Sequence, residues 1–408
     1  MSRRVAPVLA ATIAILAAVL PGAASAADPS GDPFYRTAPP PAKLPGKAHG
    51  DLIRQRRLTG AAVVPGAAQT KVIIYRSTDV HGDVVPVSGV VSIPKGKRPK
   101  AGWPVITWAH GTTGIADQCA PSRDVAGSSA HPYNAYIYPL LTTWLKAGYA
   151  VVRTDYQGLG TLYEHEYLVG VTEGHSVLDM VRAARQAAPR QLSTDIAIAG
   201  HSQGGHAALF AAAEAPKYTP ELHLAGTVAF APASHLDEQI PLTTGITQPN
   251  AGLTALVAII GEGLAAAYGD AGMSLTAFDP ATVLTPDGIQ LTNEAASQCL
   301  PELGAAATKL GLTPAAMFKP GVDFTQLRRL LDANDPSHLA IRTPLLIEQG
   351  TADQTVIPLF TDQLATELKD DGATKITYNK VAGVDHAGIT AGAGGADATK
   401  YLKKLLKP

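Results

Sequence analysis

The run Gly200-His201-Ser202-Gln203-Gly204 constrains this chain more than any other stretch, because of what flanks it. Before it, Asp195-Ile-Ala-Ile-Ala-Gly200 alternates and ends in small residues, as a buried strand does. After it, Gly205-His206-Ala-Ala-Leu-Phe-Ala-Ala-Ala-Glu214 is rich in helix formers. The expected structure is a strand, a tight glycine-flanked turn that lifts a serine clear, and a helix. That is the turn on which an α/β-hydrolase presents a nucleophile. The glycines let the two backbones approach closely, and the helix N-terminus offers free N–H groups to a developing oxyanion.

Partners for such a serine are expected in the chain order Ser, then Asp or Glu, then His. Of the twelve histidines, His386 alone lies beyond residue 338. It sits in Val381-Ala-Gly-Val-Asp385-His386-Ala-Gly388, directly after the expected strand Lys375–Val381, where a general base belongs. The acid is expected in the loop after another strand, Thr343–Gly350, and before a helix from Leu359 to Lys369. Asp353 occupies that loop. Its rivals are Asp385, too close in sequence to face the same ring, and Glu348, which falls inside the strand.

One oxyanion donor is expected from the main chain of Gln203, the residue after the serine. The second is expected from His110-Gly111-Thr112-Thr113-Gly114, which follows the strand Trp103–Ala109. Thr112 is the preferred donor, with Thr113 and Gly114 as alternatives.

The N-terminus reads as an export signal. Arg3 and Arg4 precede an apolar run from Val5 to Leu20, and Ala24-Ser25-Ala26 forms a small-residue cleavage site. Cleavage after Ala26 leaves 382 residues and takes the formal charge from −1 to −3. No basic stripe suggests nucleic acid. No later uninterrupted apolar run suggests a transmembrane anchor; Ala251–Tyr268 comes nearest, and Glu262 interrupts it. In a secreted chain the two cysteines, Cys119 and Cys299, are expected to pair. The basic, amphipathic segment Lys400–Lys407 is expected to pack as the last helix, with contact to an anionic lipid interface as the lesser alternative.

The rest alternates short apolar strands and helices: strands at Lys71–Ser77, Val84–Ile93, Tyr149–Asp155 and Leu222–Ala231, and helices at Ala135–Ala147 and His175–Ala187. The expected fold is α/β, a mostly parallel sheet with helices on both faces. The expected organisation is a signal peptide over 1–26, a Pro-rich lead over 27–69, a catalytic domain over 70–233 and 340–408, and an inserted helical cap over 234–339. Within the cap, helices are expected at Leu253–Tyr268, Pro301–Leu310 and Asp323–Leu331. Leu253, Leu256, Val257, Ile259 and Ile260 either line an acyl pocket or form the cap's own core, the core being favoured.

Three ordered motifs carry a resemblance: His110-Gly111-Thr112-Thr113-Gly114, Cys119-Ala-Pro-Ser122 and Asp155-Tyr-Gln-Gly158-Leu-Gly160. With the serine turn, they make the chain from about residue 70 onward resemble bacterial members of the secretory lipase family. The resemblance implies a capped α/β-hydrolase that splits carboxylic esters, including glycerol esters. It matches the family's serine to Ser202, its acid to Asp353, its base to His386, and its loop and cap cysteines to Cys119 and Cys299. Yeast members place an acidic side chain in the oxyanion loop, where this chain has threonines and glycines. They also continue well past the histidine.

The function expected from sequence is therefore secreted ester hydrolysis by Ser202, His386 and Asp353, on a small-molecule or lipid ester, with no metal or organic cofactor. An acyltransferase, a serine peptidase or a polyester hydrolase on the same machinery are alternatives. A catalytically silent secreted binding protein is the remote one.

Overall fold

The structure is a computed structural model, and it describes residues 32–36, 49–269 and 277–408. The expected signal peptide and most of the Pro-rich part of the lead lie outside the described residues.

Nine strands form one sheet in the spatial order β1-β2-β3-β5-β4-β6-β7-β8-β9. In chain order they are β1 Leu52–Arg57, β2 Ala67–Thr78, β3 Val84–Pro94, β4 Trp103–Ala109, β5 Ala150–Gln157, β6 Leu192–His201, β7 His223–Phe230, β8 Leu345–Gly350 and β9 Ile376–Val381. β1, β2 and β3 pair antiparallel, and β3 joins β5 antiparallel. From β5 to β9 every pairing is parallel. β4, β5 and β8 are buried along their whole length, as strands covered on both faces must be.

The β2–β3 hairpin is set by Asp79, whose carboxylate accepts from the His81 and Asp83 amides, while Gly82 takes a positive φ. β1 was expected only as part of the surface lead. Its sequence, Leu-Ile-Arg-Gln-Arg-Arg, shows no buried face, because it is an edge strand whose charges face solvent.

One face of the sheet packs Trp108, Phe230 and Leu346 against the helices Tyr138–Lys146 and Gly392–Leu405. Trp144 Nε1–H donates to Thr399 Oγ1, and Leu402 and Leu406 are buried, so the basic C-terminal segment packs on the sheet as its last helix. The other face packs Ile198 against the helices Gly170–Ala187 and Gln203–Tyr218. The expected helix over Ala135–Ala147 is two pieces, His131–Ala135 and Tyr138–Lys146.

Between β7 and β8 the chain leaves the sheet and forms helices at Ile240–Gly245, Ala251–Tyr268, Pro286–Ala295, Leu300–Lys309 and Thr325–Ala333. They share a core that includes Ile259, Leu264, Leu284, Leu291, Leu303 and Met317. Ile259 is fully buried there, whereas Leu253, Leu256, Val257 and Ile260 remain half-buried. Helix Pro286–Ala295 was not anticipated, although its signals are present: Thr285 caps Gly288 N–H, with Pro286 at the first turn. Among the described residues, Ala251–Tyr268 is the one helix long and apolar enough to cross a membrane, and half of it is buried in the protein.

Glu348 is fully buried in β8, with Oε1 accepting from Asn379 Nδ2 at 2.8 Å and Oε2 without a hydrogen-bond partner among the described residues. Burial, with added repulsion from Asp397, pushes its pKa from the ordinary 4.5 up to about 7. The folded chain therefore keeps a proton that the unfolded chain releases near 4.5. This contribution to stability falls as pH rises between 4.5 and 7 and is level above that. Glu348→Gln, which keeps the acceptor and the shape, is expected to lose less melting temperature than the wild type between about pH 5 and 7.5. Parallel melting curves across the window would contradict this.

Candidate active site

β6 ends at His201, and the helix that follows starts at Gln203, so Ser202 makes the whole turn. Its backbone has φ 59° and ψ −119°, a conformation L-residues rarely adopt. Ser202 N–H donates to Phe230 C=O at 2.9 Å, and its own C=O accepts from His206 N–H at 3.0 Å. A side chain at Gly200 would collide with the Gly204 carbonyl, and one at Gly204 with the Ala109 carbonyl. These two positions admit glycine alone, which is why the motif has them.

The chain after β8 is stitched to the chain after β9. Thr351 N–H donates to Val381 C=O and Ala352 N–H to Val384 C=O, both at 3.0 Å. That places His386 Nδ1 2.8 Å from Asp353 Oδ2. The Asp353 side chain is fully buried, and Oδ1 accepts from the amides of Thr355 and Val356 at 2.8 and 2.9 Å. The His386 side chain stays 21% exposed, open to a substrate. The two rival carboxylates face elsewhere: Asp385 accepts from the Gly388 amide within its own loop, and Glu348 accepts from Asn379.

His386 meets the serine turn through His201. The rings of His201 and His386 lie 4.5 Å apart, and His201 Nε2–H donates to the His386 carbonyl at 2.8 Å. Among the described residues no hydrogen bond joins the Ser202 hydroxyl to the His386 ring. Such bonds often tighten only when substrate is bound.

The loop after β4 comes to the same place. A Cβ on Gly111 would sit 3.5 Å from Ser202 Cβ, so Thr112 follows directly beside the serine. Among the described residues neither the Thr112 nor the Gln203 main-chain N–H is engaged, which leaves two donors next to the hydroxyl. The Thr112 hydroxyl pairs with Tyr167 OH at 2.6 Å. Thr113 C=O accepts from Leu300 N–H at 3.0 Å, and Gly114 bridges to Cys299. Cys119 and Cys299 form a disulfide against that bridge. The loop is therefore clamped to helix Leu300–Lys309.

Beneath the turn lies a buried polar network that sequence reasoning missed. Gln203 Nε2 donates to Glu173 Oε1 at 2.8 Å and to His165 Nε2 at 3.1 Å. His165 Nδ1–H donates to Gln157 C=O, and burial holds its pKa down to about 4, so it stays a neutral acceptor. Glu173 Oε2 lies 3.1 Å from His206 Nδ1, and His206 Nε2 donates to the carbonyl of Asn334 at 2.8 Å. Nothing local in sequence marks these residues, because they converge from four segments.

A family model described as "Secretory lipase" matches residues 134–404. The chain belongs to the secretory lipase family. Among curated relatives of the family it is similar to lipase A of Moesziomyces aphidis, 28% identical over 270 residues, which cover 64% of this chain and 55% of the relative. It is also similar to a Mycobacterium tuberculosis protein described as a probable inactive lipase, 28% identical over 56% of this chain and 51% of that one. The chain thus spans about half the length of these two relatives. Its fold is that of Candida antarctica lipase A, with a TM-score of 0.71 at 21% identity, covering 89% of this chain and 83% of that one. The α/β-hydrolase fold expected from the serine turn is the fold observed.

The disulfide closes a span of 180 residues. Replacing both Cys119 and Cys299 by alanine is expected to cost up to about 5 kcal/mol in stability by the chain-entropy argument. Denaturant unfolding checks the loss, and an unchanged midpoint would show that the covalent link is redundant.

Proposed function

We propose that this secretory lipase family member is a secreted serine hydrolase of carboxylic esters. The observation that carries the reading is the buried Asp353–His386 pair brought to the strained Ser202 turn, with two unengaged amides beside it. His386 takes the proton from Ser202 as its hydroxyl oxygen attacks the ester carbonyl. Asp353, held by two backbone amides, orients the imidazole and stabilises the imidazolium. The Thr112 and Gln203 amides receive the oxyanion of the tetrahedral intermediate, each contributing about 3–4 kcal/mol to the transition state in comparable sites. The alcohol leaves with the proton from His386. Water, activated by the same base, then releases the acid from Ser202 and restores the enzyme. Each step is proton transfer and acyl transfer among these residues.

The 234–339 segment serves as the cap in this reading. Gly263 of its longest helix packs against Tyr167, whose hydroxyl holds Thr112. The half-buried Leu253 and Leu256 on that helix, which lie outside the cap's own core, give an acyl chain an apolar wall. The N-terminal Arg3-Arg4 and apolar run, together with family membership, support export and an extracellular site of action.

Hydrolysis of p-nitrophenyl esters from two to sixteen carbons tests the reading. Ser202→Ala and His386→Ala are each expected to lower kcat by about 10⁴-fold or more, and Asp353→Asn by about 10⁴-fold, with folding intact. Turnover that survives Ser202→Ala in a folded protein would overturn the assignment and favour a silent binding role. Activity that rises toward long chains would mark a lipase, and activity confined to short chains an esterase.

A further inference from the structure

His201 precedes the serine and has no role in the mechanism above, yet it is 4% exposed and lies against both the base and the loop after β4. Its Nε2 lies 2.8 Å from the His386 carbonyl and its Nδ1 2.6 Å from Tyr136 OH. A Cβ on Gly111 of the oxyanion loop would lie 3.4 Å from the same Nδ1. The chemistry of these partners fixes the proton. A carbonyl can only accept, so Nε2 carries the hydrogen; Nδ1 is then a lone pair, and Tyr136 must donate to it.

We propose that Tyr136 and His201 are positioning residues: Tyr136 holds His201 as the neutral Nε2–H tautomer, and His201 holds the His386 backbone against the serine turn. Its kinetic half rests on the ester-hydrolase reading. Its geometric half does not.

The arrangement has a reason in charge. During turnover the His386 ring becomes an imidazolium, 4.5 Å from the His201 ring. A second imidazolium there would oppose it. Nδ1 is the only place where His201 can gain a proton, and the Tyr136 hydroxyl occupies it. Burial first, and the neighbouring His386 second, keep His201 well below the ordinary histidine range. Burial likewise pushes the Tyr136 phenol up, so it remains a donor. The titratable groups that face His201 are Tyr136 and His386, the latter backed by Asp353. The helical segment around Tyr136 thus communicates with the base through one ring.

The test combines NMR of ring-¹⁵N-histidine-labelled full chain with kinetics on p-nitrophenyl butyrate per site counted by a fluorophosphonate. In the wild type, His201 is expected as the Nε2–H tautomer with no titration down to about pH 5, where an unperturbed histidine is fully protonated. In Tyr136→Phe, which removes only the hydroxyl, His201 begins to titrate and the acid limb of kcat/KM moves to higher pH. His201→Leu lowers kcat by up to about 10²-fold with KM unchanged, the cost of a base displaced by about an ångström. His201→Gln, whose amide can reach the same carbonyl, recovers most of that loss. A merely structural role would lower the melting temperature without moving the acid limb or kcat per counted site. An Nδ1–H tautomer or ordinary titration of His201 in the wild type overturns the proposal. So does a Tyr136→Phe protein with wild-type kcat and pH profile, and that variant serves if His201→Leu fails to fold. Ester turnover that survives Ser202→Ala is a different failure: it removes the hydrolase reading and leaves the tautomer result standing.

Discussion

The close approach of three backbones at the serine turn is the constraint on which the rest depends. The end of β6, the start of the helix Gln203–Tyr218 and the end of β4 meet where Gly200 and Gly204 leave no space for a side chain. Because Gly204 lies against the Ala109 carbonyl, the loop that begins at His110 leaves the sheet directly above the helix N-terminus. The two unengaged amides, Thr112 and Gln203, therefore belong to different segments that meet at Ser202. A positive-φ serine is costly, of the order of 1–3 kcal/mol. It persists because Phe230, His206 and Ala233 engage its main chain from both sides.

That constraint explains which parts were legible in sequence. The glycines, the serine and the strand–helix switch are local, and so were read together. The buried strand Trp103–Ala109 was read to the residue, because a strand covered on both faces is an apolar run with clear ends, while the expected Tyr149–Asp155 and Thr343–Gly350 were off by one or two residues at their ends. Asp353 and His386 followed from position after strands β8 and β9. β1 was not legible, since an edge strand whose two apolar residues, Leu52 and Ile53, are followed by arginines and a glutamine has no apolar periodicity. Tyr136 and His201 were equally invisible. Their roles come from a carbonyl and a hydroxyl that only the folded chain sets beside one ring. His201 was in plain view inside the motif, but nothing in a linear pattern says which atom its two nitrogens will meet.

The polar network below the turn shows how the insertion is coupled to the chemistry. Gln203, the residue after the serine, directs both hydrogens of its side-chain amide to Glu173 and His165. Glu173 passes the connection to His206, and His206 to the Asn334 carbonyl at the far end of the inserted segment. Asn334 returns to the sheet domain by accepting from Gly170 N–H at 3.1 Å. A loop of hydrogen bonds thus runs from the turn into the insertion and back. Buried polar groups of this kind are costly when any member is left alone, so the network favours one placement of Asn334 over its neighbours.

The loop Thr112–Gly114, proposed above to receive the oxyanion, is fixed from the same insertion by a second route. The disulfide, the Gly114–Cys299 bridge and the Leu300 amide all act on Thr113 and Gly114, while Tyr167, under the long helix, acts on Thr112. The two routes start from different places in the inserted segment, Asn334 and the Cys299–Leu300 corner, and end on Gln203 and on the loop Thr112–Gly114. A segment that moved as a rigid lid would therefore have to break one set of contacts or the other. The long helix Ala251–Tyr268 bears on both, since Gly263 packs against Tyr167 and Tyr268 OH accepts from Asn334 Nδ2 at 3.0 Å.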